Sequence, residues 1–379
     1  MNIIERFFQK IKLLYSVKID FFPPRKKKIM IYDQVHSDLI AKKIDDYEIF
    51  DNRFGSVNIS VLLKAVITYG LNNLSKSYKK TYITYVDPRF VITFMDMNPG
   101  FYLLKKDLPF LKFKTISIQS SYRAHRNFES FNKLSKKDYC CDYLFLFHEK
   151  DKNLFSEHIN LENTKKIIIG SFRNNSEKII KSKSKKKEIL YISQFQPNYL
   201  GNEEFLYEKK IIKLLTQYCK EKKYQLKIAI KGGRNFGITY KKYLNPTLNK
   251  FYGVGAQSFE ILKKKYEESF DLDKSVNLVG NKNKENNYNH IDNSDLVVFE
   301  CSTLGIEALA RNKKVVFAPR NLRHVYWNKK KIDFFCVKKL NYMNLKKKLD
   351  QSLFMKKRKW LNEAKRGEMI MKYDRNNKI

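Results

Sequence analysis

Residues 294–320 read Ser294-Asp-Leu-Val-Val-Phe-Glu-Cys-Ser-Thr-Leu-Gly-Ile-Glu-Ala-Leu-Ala-Arg-Asn-Lys-Lys-Val-Val-Phe-Ala-Pro-Arg320. Leu296 to Phe299 is a short β-branched and aromatic run, the mark of a strand buried on both faces. Glu300 to Thr303 supplies small polar residues, and Leu304, Ile306, Ala308 and Leu309 then predict a helix. Lys314 to Ala318 is a second buried strand, closed by Pro319. The unit is β–loop–α–β, with its loop at the carboxyl end of a strand, where open α/β sheets bind ligands. Ser302 and Thr303 fall at the helix N-terminus, where hydroxyls and unbonded backbone N–H groups hold phosphate. Glu307 comes one turn later and is expected to accept hydrogen bonds from a ribose diol at the same mouth. The plainer reading, in which Ser302 and Thr303 only cap a helix, stays open for this unit alone. The rest of the chain weighs against it.

The same strand-and-helix alternation extends toward the N-terminus. Ile29 to Tyr32, Tyr47 to Phe50, Tyr82 to Val86, Phe90 to Phe94, Thr115 to Ile118, Tyr143 to Phe147 and Ile167 to Ile169 read as strands. A lysine- and serine-rich run, residues 176–187, has little to bury and marks a linker. Ile189 to Ser193 then opens a second series, with a helix over about Glu203 to Lys222, a strand Leu226 to Ile230 and another at Val276 to Val279. The expected fold is α/β, with two Rossmann-like doubly wound parallel-sheet domains facing a cleft. The domains are placed at residues 29–175 for an acceptor and 188–340 for a nucleotide donor. Residues 1–28 form a basic amphipathic N-terminal segment, with Ile4, Phe7, Phe8, Ile11 and Leu14 at helical spacing. Residues 341–379 form a basic helical C-terminal segment.

Composition narrows the partners. Of 379 residues, 76 are basic and 39 acidic, giving a formal charge of +37, which attracts nucleotides, anionic lipid or nucleic acid. Lys, Asn, Ile, Tyr and Phe are also what an AT-rich coding sequence yields, so the charge alone names no nucleic-acid partner. The five cysteines include no Cys-x-x-Cys pair, which fits a reducing compartment. No apolar run reaches the roughly 18 residues of a membrane-spanning helix, so any membrane contact is expected to be peripheral. A cytoplasmic protein, held if at all at the inner face of the membrane, is expected.

The loops at strand ends carry the chemistry. Asp96, in Thr93-Phe-Met-Asp-Met-Asn98, is placed as a general base toward an acceptor hydroxyl. His125, between Arg123 and Arg126, is a second catalytic candidate, and Arg53 and Arg123 are anion contacts for acceptor or phosphate. Ser193, Gln194 and Lys231 join Ser302, Thr303 and Glu307 on the donor side, where cations can neutralise a leaving phosphate without a metal. No cofactor is expected. The six histidines lack metal-ligand spacing, and Asp271-Leu-Asp273 reads as a surface turn rather than a metal-binding Asp-x-Asp. No Gly-x-Gly-x-x-Gly or Walker loop is present, which argues against dehydrogenases and P-loop ATPases.

Several stretches together resemble a known family. They are Phe90-Val-Ile-Thr-Phe-Met-Asp-Met-Asn98, Gln119-Ser-Ser-Tyr-Arg123, Cys141-Asp-Tyr-Leu-Phe145, Ile169-Gly-Ser-Phe-Arg-Asn-Asn175, Tyr191-Ile-Ser-Gln194 and the segment from Ser294 to Leu309. The family is the bacterial surface-carbohydrate (O-antigen) biosynthesis proteins, and the resemblance runs from about residue 29 to 330. It implies the two-domain glycosyltransferase-B fold and transfer of a sugar from a CMP- or UDP-linked donor to a polysaccharide or lipid-linked glycan. The last segment is also similar to the donor site of poly(glycerol-phosphate), sialic-acid and Kdo transferases. That similarity implies that Ser302 and Thr303 contact phosphate and Glu307 the ribose. The chain departs from those relatives at Ile230-Lys231-Gly232, where they carry His-Pro, and at Gln119-Ser120-Ser121, where a Gln-Asn-Gly-like turn is usual. The alternatives are a polyol-phosphate transferase, a nucleotide-sugar 2-epimerase of the same fold, and a non-catalytic basic protein binding nucleic acid or membrane. Ser302-Thr-Leu, in place of the epimerases' Ser-Gly-Gly turn, weighs against the second.

Overall fold

The structure, a computed structural model, describes residues 18–34, 36–51, 56–180, 186–194, 202–230, 259–280, 286–321, 333–366 and 370–374. The chain divides into two compact units. Among the described residues the first holds everything up to Ser120 together with Asn127–Ile168, and the second holds Ser121–Arg126 and the chain from Ile169 onward.

In the first unit β1 (Lys18–Asp20) pairs in parallel with β4 (Ser56–Asn58) as a small ribbon. The main sheet is built from β2 (Ile29–Tyr32), β3 (Tyr47–Phe50), β5 (Phe90–Thr93), β6 (Lys114–Ile118), β7 (Tyr143–Leu146) and β8 (Lys165–Ile168). All its ladders are parallel and its order is β3-β2-β5-β6-β7-β8. The direction of winding reverses at β2 and β5. Met30, Ile31, Val91, Leu144 and Leu146 are buried, as strands covered on both faces require.

Helices α1 (Ile59–Tyr69) and α2 (Leu74–Val86) flank this sheet. Tyr82 to Val86, expected as a strand, is the last part of α2. Its β-branched and aromatic composition suits a strand, but Tyr78, Tyr82, Ile83 and Val86 recur at helical spacing and are all buried. Tyr82 packs on Phe50 with ring centroids 5.0 Å apart, and its hydroxyl donates to Glu48 at 2.8 Å. Tertiary packing of that face overrides local propensity.

The second unit carries a sheet of β9 (Glu188–Ile192), β10 (Gln225–Ala229), β11 (Val276–Val279), β12 (Leu296–Phe299) and β13 (Lys314–Phe317), in the order β11-β10-β9-β12-β13 and all parallel. Further along the chain, α3 (Glu149–His158) comes after β7 in the first unit, and α4 (Asn202–Lys222), α5 (Phe259–Phe270), α6 (Asn287–Asn293), α7 (Thr303–Ala310), α8 (Tyr342–Phe354) and α9 (Lys357–Arg366) belong to the second. Leu345 and Leu349 of α8 join the core formed by β9, β10, β12 and α4. Among the described residues no helix is long and apolar enough to cross a membrane.

One buried charge pair ties this unit together. Arg311, just after α7, donates from Nε to Asp292 Oδ1 at 2.8 Å and from Nη2 to Asp292 Oδ2. Its remaining donors go to Asn174 Oδ1 at 2.9 Å, Glu177 O at 3.1 Å and Lys178 O at 3.0 Å. The guanidinium lies over the Tyr288 and Tyr373 rings. Both charged side chains are wholly buried. Arg311→Met strands the Asp292 carboxylate in the interior and is expected to lower unfolding free energy by about 3–5 kcal/mol. Adding Asp292→Leu is expected to recover most of that loss. Urea unfolding of the single and double variants measures both.

Candidate functional site

The register of the second sheet brings its strand ends level. Ala229, Ile192, Phe299 and Phe317 lie side by side across β10, β9, β12 and β13. The residues just past these ends therefore line one edge: Ser193-Gln194 after β9, Glu300-Cys301-Ser302 after β12, and Ala318-Pro319-Arg320 after β13. Winding reverses between β9 and β12, so the connections after these two strands run to opposite sides and leave a crevice at their carboxyl ends.

Ser302 is the N-cap of α7, and its hydroxyl accepts from Leu304 N at 3.3 Å. Thr303 Oγ1 accepts from Tyr122 N at 3.0 Å. Tyr122 belongs to the Ser121–Arg126 segment, which is part of this unit and also carries Arg123, His125 and Arg126. Arg123 is half-buried, whereas His125 and Arg126 are exposed. The position of Ser302 depends on Gly305: a Cβ there would stand 2.2 Å from the Phe299 ring. Only glycine lets α7 lie this closely on β12.

A polar layer lies beneath the edge. Glu208 sits on the buried stripe of α4 with Ile211, Ile212 and Leu215, a charged residue at an otherwise apolar spacing. Its Oε1 accepts from Ser193 Oγ and from Tyr266 OH, the latter at 3.1 Å. Burial, with a smaller contribution from Glu300, pushes the Glu208 carboxyl up to about 7, although its bonds to Ser193 and Tyr266 pull the other way. The Tyr191 hydroxyl, fully buried beside Glu208 and Glu300, has no hydrogen-bond partner among the described residues.

Cations rim the same edge. Arg320 Nη2 donates to Glu204 Oε1 at 2.6 Å, and its Nε lies 3.9 Å from Glu300 Oε1. Burial raises the Glu300 carboxyl above the ordinary range, while Arg320 and Arg126 pull it down.

The predicted residues thus fall into groups. Ser193, Gln194, Ser302 and Thr303 share the carboxyl edge of the second sheet. Arg123 and His125 lie on the segment whose Tyr122 bonds Thr303. Glu307 is on the same helix but buried, its oxygens accepting from Ser171 Oγ and, at 2.9 Å, from Tyr288 OH. A ribose diol reaching Glu307 would share those oxygens with Ser171 and Tyr288. Asp96 lies in the first unit, past the end of β5 where that sheet's winding reverses. It is fully buried, with Oδ1 accepting from Ser120 N at 3.0 Å and Ser120 Oγ at 2.7 Å. Arg53 and Lys231 lie outside the described residues, as does most of the N-terminal segment. Asp271 and Asp273 occupy the turn before β11, at the opposite edge of the sheet, where Asp273 accepts from Ser275 and Lys220.

Sequence reading missed Glu208, Tyr266, Glu300 and Arg320. The available signals were a carboxylate interrupting the apolar stripe of α4, a second carboxylate directly after β12 and an arginine three residues past β13.

A family model described as "putative O-antigen biosynthesis protein" matches residues 116–379. No curated protein sequence matches the chain. Among solved structures, the S. aureus MnaA–UDP co-structure is 14% identical, with 92% of each chain covered and a TM-score of 0.51. That of a "putative UDP-N-acetylglucosamine 2-epimerase" from Listeria monocytogenes is 12% identical, with 92% of this chain and 93% of that chain covered and a TM-score of 0.52. The fold shared with these structures is the two-sheet, glycosyltransferase-B-like α/β architecture.

The raised Glu208 carboxyl has a definite sign in stability. Between the ordinary glutamate value of 4.5 and about 7, the folded chain holds a proton that the unfolded chain releases, so stability falls as pH rises through that window. Glu208→Gln removes the ionisation. Relative to the wild type, it is expected to gain on the order of 3 kcal/mol between about pH 5 and about pH 8. Urea titrations of both proteins at the two pH values check it, and a pH-independent difference would exclude a buried, ionising Glu208.

Proposed function

The chain belongs to the family described as "putative O-antigen biosynthesis protein", and on that premise we propose that it is a glycosyltransferase moving a sugar from a nucleotide-sugar donor to a surface polysaccharide or lipid-linked glycan. The observation that carries this reading is the level alignment of β9 and β12 at the winding reversal. It sets Ser193, whose hydroxyl reaches the Glu208 layer beneath, and the Ser302-Thr303 helix N-terminus along one edge. A nucleotide's phosphates take the N-terminus of α7, where the helix dipole and the N–H groups of the first turn favour negative charge. Arg123 and His125 add positive charge or hydrogen-bond donors from the segment bonded to Thr303. Lys231, two residues beyond β10, is assigned to the same donor site, and Arg53 to anion binding on the acceptor side. Glu307 is assigned to the ribose, sharing its oxygens with Ser171 and Tyr288.

Transfer needs a base to take the proton of the acceptor hydroxyl as the sugar–phosphate bond breaks. Asp96 is assigned that role, its carboxylate oriented by Ser120. The leaving nucleotide's developing charge is met by α7 and the neighbouring cations, without a step that requires a metal. The donor is CMP- or UDP-linked. The protein works in the cytoplasm, where nucleotide sugars are made, and it has no nucleic-acid partner in this reading.

A thermal-shift screen of nucleotides and nucleotide sugars is expected to show stabilisation by one nucleotide class, since a ligand of the folded state alone raises the melting temperature. Ser302→Ala combined with Thr303→Val is expected to abolish that shift. Asp96→Asn is expected to keep the shift and lower transfer by about 100-fold or more. Conversion of the nucleotide sugar to its 2-epimer without any acceptor would replace this reading with an isomerase. Absence of any nucleotide shift would sink both.

A further inference from the structure

Among its described residues the first unit exposes a set of large apolar side chains beside α1. The chain leaves β1 at Phe21 and Phe22, whose carbonyls accept from Ser60 Oγ and Asn58 Nδ2 at the start of α1. This fixes both phenylalanines beside the first turn of that helix. Ser60, Leu63 and Ile67 then recur at positions i, i+3 and i+7, which is one stripe along the helix. Gly70, with φ 72°, ends the helix, and Leu71 comes next. The exposures are large: Phe21 68%, Phe22 87%, Leu63 58%, Ile67 84% and Leu71 73%.

The inner side of α1 needs no further partner, because Val61 and Ala65 are buried. A helix that is apolar on nearly every side is ordinarily covered on every side. Here the outer stripe is exposed among the described residues, and large apolar side chains grouped on a surface in this way mark an interaction surface.

The rim of the patch identifies the occupant. Arg25, Lys26 and Lys28 are exposed and come directly after Phe22 across Pro23-Pro24, and Lys64 stands on α1 itself, over the Tyr85 ring. A second copy would bring the same basic rim, and a chain of formal charge +37, against itself. An anionic bilayer surface offers the complement: acyl chains for phenylalanine, leucine and isoleucine, and lipid phosphates for the lysines and arginine.

We propose that the outer stripe of α1, together with Phe21 and Phe22, docks this protein on an anionic lipid bilayer. The contact is peripheral and shallow, with the apolar side chains at the headgroup boundary and the basic cluster on the phosphates. It rests on observations separate from those for sugar transfer, so either reading can fail alone.

Vesicle sedimentation of the full chain tests it, comparing phosphatidylcholine alone with equal parts phosphatidylcholine and phosphatidylglycerol. Phe22→Ser with Ile67→Ser removes the apolar contact, and Arg25→Glu with Lys26→Glu reverses the charge. All four residues are exposed, so melting temperatures are expected to stay at the wild-type value. The wild type is expected to bind the anionic vesicles and scarcely the neutral ones, with each double variant weaker by roughly tenfold or more. Wild-type binding by the Phe22→Ser/Ile67→Ser variant would overturn the proposal, because charge alone would then account for attachment. It would equally be overturned if the wild type ignored both vesicles and formed a dimer that this variant dissociated, assigning the patch to a second copy.

Discussion

A guanidinium removed from water must have all its donors met, and Arg311 achieves this by gathering distant parts of the second unit around itself. Asp292 comes from α6, Asn174, Glu177 and Lys178 from the segment leading into β9, and the Tyr288 and Tyr373 rings close over the group. The arrangement makes α7, whose other end carries Ser302 and Thr303, a fixed element. It also explains how a near-terminal segment is held. Tyr373 OH donates to Glu177 O at 2.9 Å, and Gly170 lies so close to Lys372 that a Cβ would sit 1.8 Å from the Lys372 carbonyl oxygen. A buried ion pair of this kind contributes little net stability compared with apolar packing, but its geometry is demanding. Its effect here is to fix positions.

The opposite end of α7 is set by a steric constraint. Gly305 against Phe299 brings the helix down on β12, and the register of β12 with β9 then levels Ser302 with Ser193. Under that edge the Glu208, Tyr266 and Ser193 cluster forms a polar floor in an otherwise apolar core. Such a floor is costly unless its groups are satisfied, and the Tyr191 hydroxyl is left without a partner among the described residues. Position at the winding reversal, a helix N-terminus and a buried polar layer coincide at one edge. That coincidence distinguishes it from the other strand ends of the sheet.

The basic excess acquires different meanings in different places. At the edge of the second sheet Arg126 and Arg320 are balanced by Glu204 and Glu300. Beside α1 the exposed Arg25, Lys26 and Lys28 adjoin bare apolar side chains. A net charge read from composition cannot separate these, since it carries no information about which lysines share a surface.

The fold was largely legible in the chain itself. Buried parallel strands are apolar throughout, and those at residues 29–32 and 296–299 stand out because no charged residue interrupts them. Tyr82 to Val86 was the exception: its residues suit a strand, and only contact with Phe50 makes a helical face of them. The Ser302-Thr303 position was also legible, because a helix start is a local event signalled by local residues. The partners of Glu307, Asp96 and Arg311 were not. Ser171 lies 136 residues from Glu307, and Asn174 137 from Arg311. Sequence by itself determined the alternation of elements and where loops meet strand ends, because these arise from short-range periodicity. Only the tertiary structure decided which polar side chains are buried and what they hold, because desolvation and hydrogen bonding depend on neighbours that the chain brings together from far apart.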